Sequence, residues 1–307
     1  MRHGREVTSY SSIINNWSKV ALKWLHFPLE TSALAKTVFG DFAPDVTFKG
    51  QIGDDHVDAG ICQKEPLLIY VMTRMRGISQ LDFLLAYDEP ENSPEWFQWR
   101  KTFMADLARF FSLAWKSPQT AAVHPTFKND LGLGYKKDME LLLTSLPERF
   151  HAIIQETIDF IPAIVDLPLV LLHKDFGACS ILVDSDSCHL AGVIDWAEAA
   201  VGPFGLNLYS LRDFMGKLHL RNGHIRYENY GSLEDTFWKT LRSEAPDMSD
   251  RQAETVKAAS NLGQLLSRGF TSRLANMPPP VPIRDDENGR YNLMILDGML
   301  SSRGIRS

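Results

Sequence analysis

Apolar positions along this chain fall into two textures. Up to about residue 72 they come in short pieces. Residues 17–24 (WSKVALKW) alternate polar and apolar, the period of a half-buried strand. Residues 30–39 (ETSALAKTVF) follow a proline and take a short helical period, and residues 67–72 (LLIYVM) form an apolar run of the types strands favour. Beyond that the period lengthens. Trp96, Trp99, Phe103, Leu107, Phe110, Phe111 and Trp115 recur at spacings of three and four, which predicts one long helix with a wide apolar face. Helical period continues over 139–146 and 150–165, with Pro147 and Pro162 expected to break it. Three short strands are predicted at 169–172, 181–183 and 190–194. Helices follow at 206–218, 233–241 and 251–269, and residues 277–283 (MPPPVPI) read as a proline-rich strap.

This order predicts an α+β chain in two parts. Residues 1–75 make a small sheet-bearing lobe ending in the 67–72 strand, and residues 76–307 make a large helical lobe interrupted by a hairpin. The sequence shows no internal repeat and no low-complexity linker.

Composition narrows the function. Of 307 residues, 32 are Lys or Arg and 38 Asp or Glu, a net charge of -6 with no basic block, which argues against nucleic acid as the partner. Three cysteines, Cys62, Cys179 and Cys188, form no CxxC pair and read as reduced thiols. The opening stretch MRHGREVTSYSS is polar and the longest apolar runs are too short to cross a bilayer, so a soluble, cytoplasmic protein without a membrane partner is expected.

The hairpin carries the candidate chemistry. In LVLLHKDFGACSILVDSDSCHLAGVIDWAEA a buried strand delivers His173, Lys174 and Asp175 to a loop. A strand begins after Ser180, and a return strand delivers Asp195. Either aspartate alone could simply cap a turn or a helix. As a pair on strand ends they suit phosphoryl transfer in one cleft: one carboxylate takes the proton of an attacking hydroxyl, the other holds a divalent cation.

HKDFGACS followed by GVIDW resembles the H-x-D-x-x-x-x-N and I-D-W/F motifs of the aminoglycoside phosphotransferase and choline kinase-like family, small-molecule kinases of the protein-kinase-like fold. YVMTRMRGISQLDFLLA, LPERF, GPFGLNL and LLSRGFTSRLA are similar to a branch of that family common in filamentous fungi. The resemblance implies a two-lobed kinase-like fold with ATP and Mg²⁺ as cofactors. Position by position, it makes Asp175 the catalytic base, His173 the brace of its loop and Asp195 the principal Mg²⁺ ligand. Residues 70–72, ending at Met72, become the hinge beside the adenine, met through backbone groups while the side chains of Tyr70, Val71 and Met72 serve the core.

The chain departs from that pattern in three places. Ser180 stands where the family has a metal-binding Asn; a hydroxyl is a shorter and weaker ligand. The small lobe is truncated: Gly4 is the only glycine before Lys19, so no phosphate-cradling cluster precedes the Lys19–Glu30 pair, with Lys23 the competing lysine and TSYSSI a serine-rich substitute. Asn207 stands where many relatives carry a bracing Asp. Lys174 and Glu198 are further candidates beside the two aspartates, and Cys179, His26, His219 and His224 rank lower. Aromatics within 204–214 and 227–237 point to an apolar acceptor. The function implied is ATP- and Mg²⁺-dependent phosphorylation of a hydroxyl on a small metabolite. The alternative is a kinase fold turned to binding a secondary metabolite, or to acid–base chemistry on it without ATP.

Overall fold

The computed structural model describes residues 16–22 as backbone and, with side chains, residues 28–53, 66–87, 90–119, 126–271 and 279–300. Lys23, His26, Cys62 and the TSYSSI stretch lie outside the described residues. In chain order, strand β1 (Asn16–Leu22) and helix α1 (Leu29–Phe39) precede β2 (Val46–Ile52), β3 (Leu67–Thr73), β4 (Ile78–Ser79) and α2 (Gln80–Ala86). Helices α3 (Pro94–Trp115), α4 (Phe127–Ser145) and α5 (His151–Asp166) lead to β5 (Leu169–Leu172), β6 (Ile181–Val183), β7 (Leu190–Val193) and β8 (Ala200–Pro203). The chain ends in α6 (Leu211–Phe214), β9 (Gly216–His219), β10 (Gly223–Arg226), α7 (Tyr230–Glu244), α8 (Asp250–Arg268) and α9 (Arg290–Leu300).

These elements form two compact units. The smaller comprises Met1–Tyr87 together with Ala178–Ala199, so the β6–β7 hairpin groups with it; the larger comprises Asp88–Gly177 and Ala200–Ser307. The sequence drew its lobe boundary near residue 75 and assigned the hairpin to the helical part.

In the smaller unit, β3 is the centre of an antiparallel sheet in the order β1-β3-β2, and a second sheet runs β4-β6-β7. Leu68 and Tyr70 form one buried cluster, with Leu29, Val46 and Ala197 packed on them, and Phe39, Phe83, Ile181, Val183, Val193 and Trp196 are buried in the same unit. The outer strand β2 leaves Phe48 and Ile52 45% and 58% exposed. The larger unit is mainly helical. Helix α3 starts cleanly, with Pro94 in its first turn and the Ser93 hydroxyl accepting from the Trp96 N–H at 3.2 Å. Its buried stripe carries Phe103, Leu107, Phe110 and Phe111 onto α7, while α8 opens on a reciprocal Ser249–Gln252 capping box and packs against α5.

Several sequence expectations change. Helix 206–218 is instead a tight 3-10 turn (Leu206–Ser210), the short α6 and then strand β9. The apolar spacing of Leu206, Leu211 and Phe214 looks helical, but Gly216 starts a hairpin whose partner strand comes so close that a Cβ there would lie 2.5 Å from the His224 ring. Pro162 does not end α5; the helix runs on to Asp166, held by the buried face of Ile154, Thr157, Ile161 and Ile164. Strand β2 and helix α9 were not foreseen, and α4 begins twelve residues before the predicted 139. No described helix is long and apolar enough to cross a membrane.

Candidate active site

Asp175 belongs to the larger unit. Strand β5 is buried at all four positions and pairs antiparallel with β8, Leu172 opposite Ala200, so the chain leaves it in a fixed direction. His173 follows, 2% exposed, its ring edge-on to Phe176 at 5.8 Å. Lys174 and Asp175 then turn outward and are exposed. Phe176 drops back into the core, its ring 5.0 Å from Phe111, 5.7 Å from Phe110 and 6.2 Å from Phe214. The exposed Asp175 thus lies on a turn pinned on either side by a buried imidazole and a buried phenyl ring.

Ser180 and Asp195 belong to the smaller unit. Strands β6 and β7 pair antiparallel, Ile181 opposite Val193, and the Ile194 N–H donates to the Ser180 carbonyl at 2.8 Å, one step past the strands. Ser180 and Asp195 thus share one end of the hairpin. Ser180 is 6% exposed, whereas Asp195 is exposed. Asp195 has φ 65° and ψ 59°, left-handed backbone that costs a non-glycine residue about 1–3 kcal/mol and persists only where its surroundings enforce it. The enforcing contacts come next in sequence. Trp196 is buried, its Nε1–H donating to the Val193 carbonyl at 2.9 Å and its ring 4.8 Å from Phe39 of α1, and Ala197 packs on the Leu68–Tyr70 core.

The remaining candidates are scattered. Lys19 lies on β1 opposite Tyr70 of β3, and Met72 is opposite Trp17. Glu30 is exposed in the first turn of α1, and Tyr70 is a core side chain at 1% exposure. Glu198 and Cys179 are exposed, and Asn207 is buried. His224 is buried against the Arg212 carbonyl at 2.8 Å, where burial lowers its pKa; this is a packing role. Phe204, Phe214 and Phe237 are also core residues, packed on Trp115, Phe103 and Phe111, and so do not speak for an apolar acceptor. Nothing in the sequence singled out Tyr209, whose hydroxyl donates to the Lys174 carbonyl at 3.4 Å.

Among the described residues no group of three or more His, Cys, Asp or Glu side chains is arranged to hold a metal. Ser180 and Asp195 themselves offer oxygen donors. That suits a hard cation such as Mg²⁺, which keeps several waters and takes one or two carboxylates plus ligand phosphates.

Residues 55–234 match the model of the phosphotransferase enzyme family. Among solved structures, glucosamine kinase in complex with glucosamine, ADP and inorganic phosphate is 15% identical, with a TM-score of 0.51 over 81% of this chain and 67% of that one. A second crystal form of glucosamine kinase is 16% identical, with a TM-score of 0.50 over 85% and 72%. An aminoglycoside-3'-phosphotransferase of type VIII is 15% identical, with a TM-score of 0.44 over 80% and 84%. No curated protein sequence matches. At these identities the glucosamine kinase structures establish the fold: α+β, of the protein-kinase-like kind.

Proposed function

Because the chain belongs to the phosphotransferase enzyme family, we propose that it transfers the γ-phosphoryl group of ATP, with Mg²⁺, to a hydroxyl of a small metabolite. The observation that carries this reading is Asp195: an exposed carboxylate in left-handed backbone, followed by a buried tryptophan, at the hairpin end it shares with Ser180. Strain of this kind, maintained by a dedicated anchor, is characteristic of functional positions.

In this reading Asp175 accepts the proton of the acceptor hydroxyl. His173 keeps the turn in register from its buried seat, and Lys174 neutralises charge beside it. Asp195 and Ser180 would hold Mg²⁺, with Glu198 near the same strand end. Lys19, paired with Glu30, would meet the nucleotide phosphates, and the backbone at Met72 would meet the adenine. When bound, Mg-ATP supplies the electrophilic phosphorus and the charge neutralisation that phosphoryl transfer requires. The acceptor is a small hydroxyl compound, the substrate class of the phosphotransferases that share this fold.

Thermal shift with Mg-ATP tests the reading without a known acceptor. Saturation at about a hundred times Kd should stabilise the wild type by about 2.7 kcal/mol. Asp195→Ala should lose most of that shift. Asp175→Asn should keep it while lowering ADP release by about 10²–10⁴-fold, the range for removing a general base. Absence of any shift in the wild type, or turnover of a metabolite that persists with EDTA and without nucleotide, would replace this reading with metal-free acid–base chemistry.

A further inference from the structure

We infer that the Tyr209 hydroxyl is a positioning group for the catalytic base, fixing the peptide plane from which Asp175 projects; this rests on the role proposed for Asp175. Tyr209 lies on the 206–210 turn of the larger unit, and so do Lys174 and Asp175 lie in that unit, so the contact is internal to it. Its hydroxyl donates to the Lys174 carbonyl at 3.4 Å, which ties the 206–210 turn to the turn that carries Asp175.

The carbonyl chosen matters. Lys174 C=O shares one planar peptide unit with the N–H and Cα of Asp175. Holding that oxygen fixes the rotation of the unit and hence the direction in which the Asp175 side chain leaves the backbone. Lys174 and Asp175 are exposed, so packing on their own side chains does not do this.

The anchor itself is rigid. Gly205, at φ 102°, starts the turn, and α8 approaches so closely that a Cβ on Gly263 would lie 1.9 Å from the Leu206 carbonyl oxygen and 3.0 Å from the Tyr209 ring. The ring is thus pressed against the helix with little freedom. Burial raises the Tyr209 pKa, and the nearby Asp213 and Asp175 push the same way against the opposing influence of Ser267 and Arg268, so the phenol keeps its proton and remains a donor. Asn207, two residues earlier on the same turn, is buried and gives its carbonyl to the Ser210 hydroxyl at 2.8 Å. Tyr209 is the residue of this turn whose side chain reaches the Lys174–Asp175 peptide.

The test is Tyr209→Phe, which keeps the ring and removes the hydroxyl. Two quantities are measured on the full chain: amide hydrogen exchange over residues 174–177, and ADP formation from Mg-ATP with water as acceptor. We expect exchange over 174–177 to quicken about fivefold, and kcat to fall about fivefold or more with KM for ATP unchanged, as for a single hydrogen bond. Tyr209→His, whose shorter ring cannot reach the Lys174 carbonyl, should quicken the same exchange and lower kcat likewise, and it decides the matter if Tyr209→Phe does not fold. Exchange within twofold of wild type overturns the inference, as does faster exchange with an unaltered kcat. If the wild type forms no ADP, the phosphotransfer reading fails by itself, and the exchange comparison still decides whether Tyr209 fixes the turn.

Discussion

The two aspartates invite comparison because each is an exposed carboxylate followed at once by a buried aromatic: Asp175 by Phe176, Asp195 by Trp196. The anchors work differently. Phe176 enters an aromatic cluster of Phe110, Phe111 and Phe214 and is held by shape and area alone. Trp196 packs on Phe39, ring to ring at 4.8 Å, and adds a directed bond from Nε1 to the Val193 carbonyl, three residues back. Phe176 is fixed by packing from several aromatic sides, whereas Trp196 joins its packing to a directed hydrogen bond next to left-handed backbone.

This contrast breaks most readily at Phe176. Phe176→Ala should cost about 3–5 kcal/mol, the range for emptying a packed phenylalanine site, measured by urea unfolding. A loss below about 1.5 kcal/mol would mean that the aromatic cluster is not what holds Asp175. Trp196→Phe sharpens the other side. It keeps most of the ring and deletes the bond to Val193, so about 1–2 kcal/mol is expected, with relief of the Asp195 strain offsetting part of it. If Trp196→Phe costs as much as Phe176→Ala, the smaller unit relies on packing as heavily as the larger one does.

How far the sequence exposed this arrangement varies by element. Strands β5, β6 and β7 were legible because their apolar runs are short and bounded, and they carry both aspartates to strand ends as expected. Helix α3 was legible through its repeated aromatic stripe. Strand β2 was hidden because its register shifts between Phe48 and Gly50 and most of its side chains are exposed, which erases the alternation a strand normally shows. The β9–β10 hairpin was hidden behind apolar residues at helical spacing, and what decides it is tertiary: Gly216 under His224, and Gly223 at φ 71° with the backbone of α9 beside it. The left-handed backbone of Asp195 was likewise illegible, since it is imposed by Trp196 and Ala197 docking on residues far away in sequence. Tyr209 escaped for a related reason: its partner, Lys174, lies 35 residues before it.

The smallest expected effect lies at the far end of the hairpin and tests whether directed bonds rule there too. The Asp184 carboxylate accepts from the Ser187 hydroxyl at 2.6 Å and from the N–H groups of Ser187 and Asp186 at 3.0 and 3.1 Å, closing the turn. The Ser187 hydroxyl, followed by the two backbone donors, lowers its pKa from the ordinary 3.8. A carboxylate whose pKa is lower folded than unfolded contributes stability that is fully present above the unfolded value and is lost as pH falls through the folded one. Asp184→Ala should therefore be slightly less stable than the wild type at neutral pH, and the difference should shrink only below pH 3.8. Comparing the two proteins cancels the other carboxylates that titrate in that range. The group is fully exposed, so the effect should be small beside either aromatic substitution. A stability gap that stays constant down to pH 2 would show that the turn is set by backbone shape and not by the ionised carboxylate.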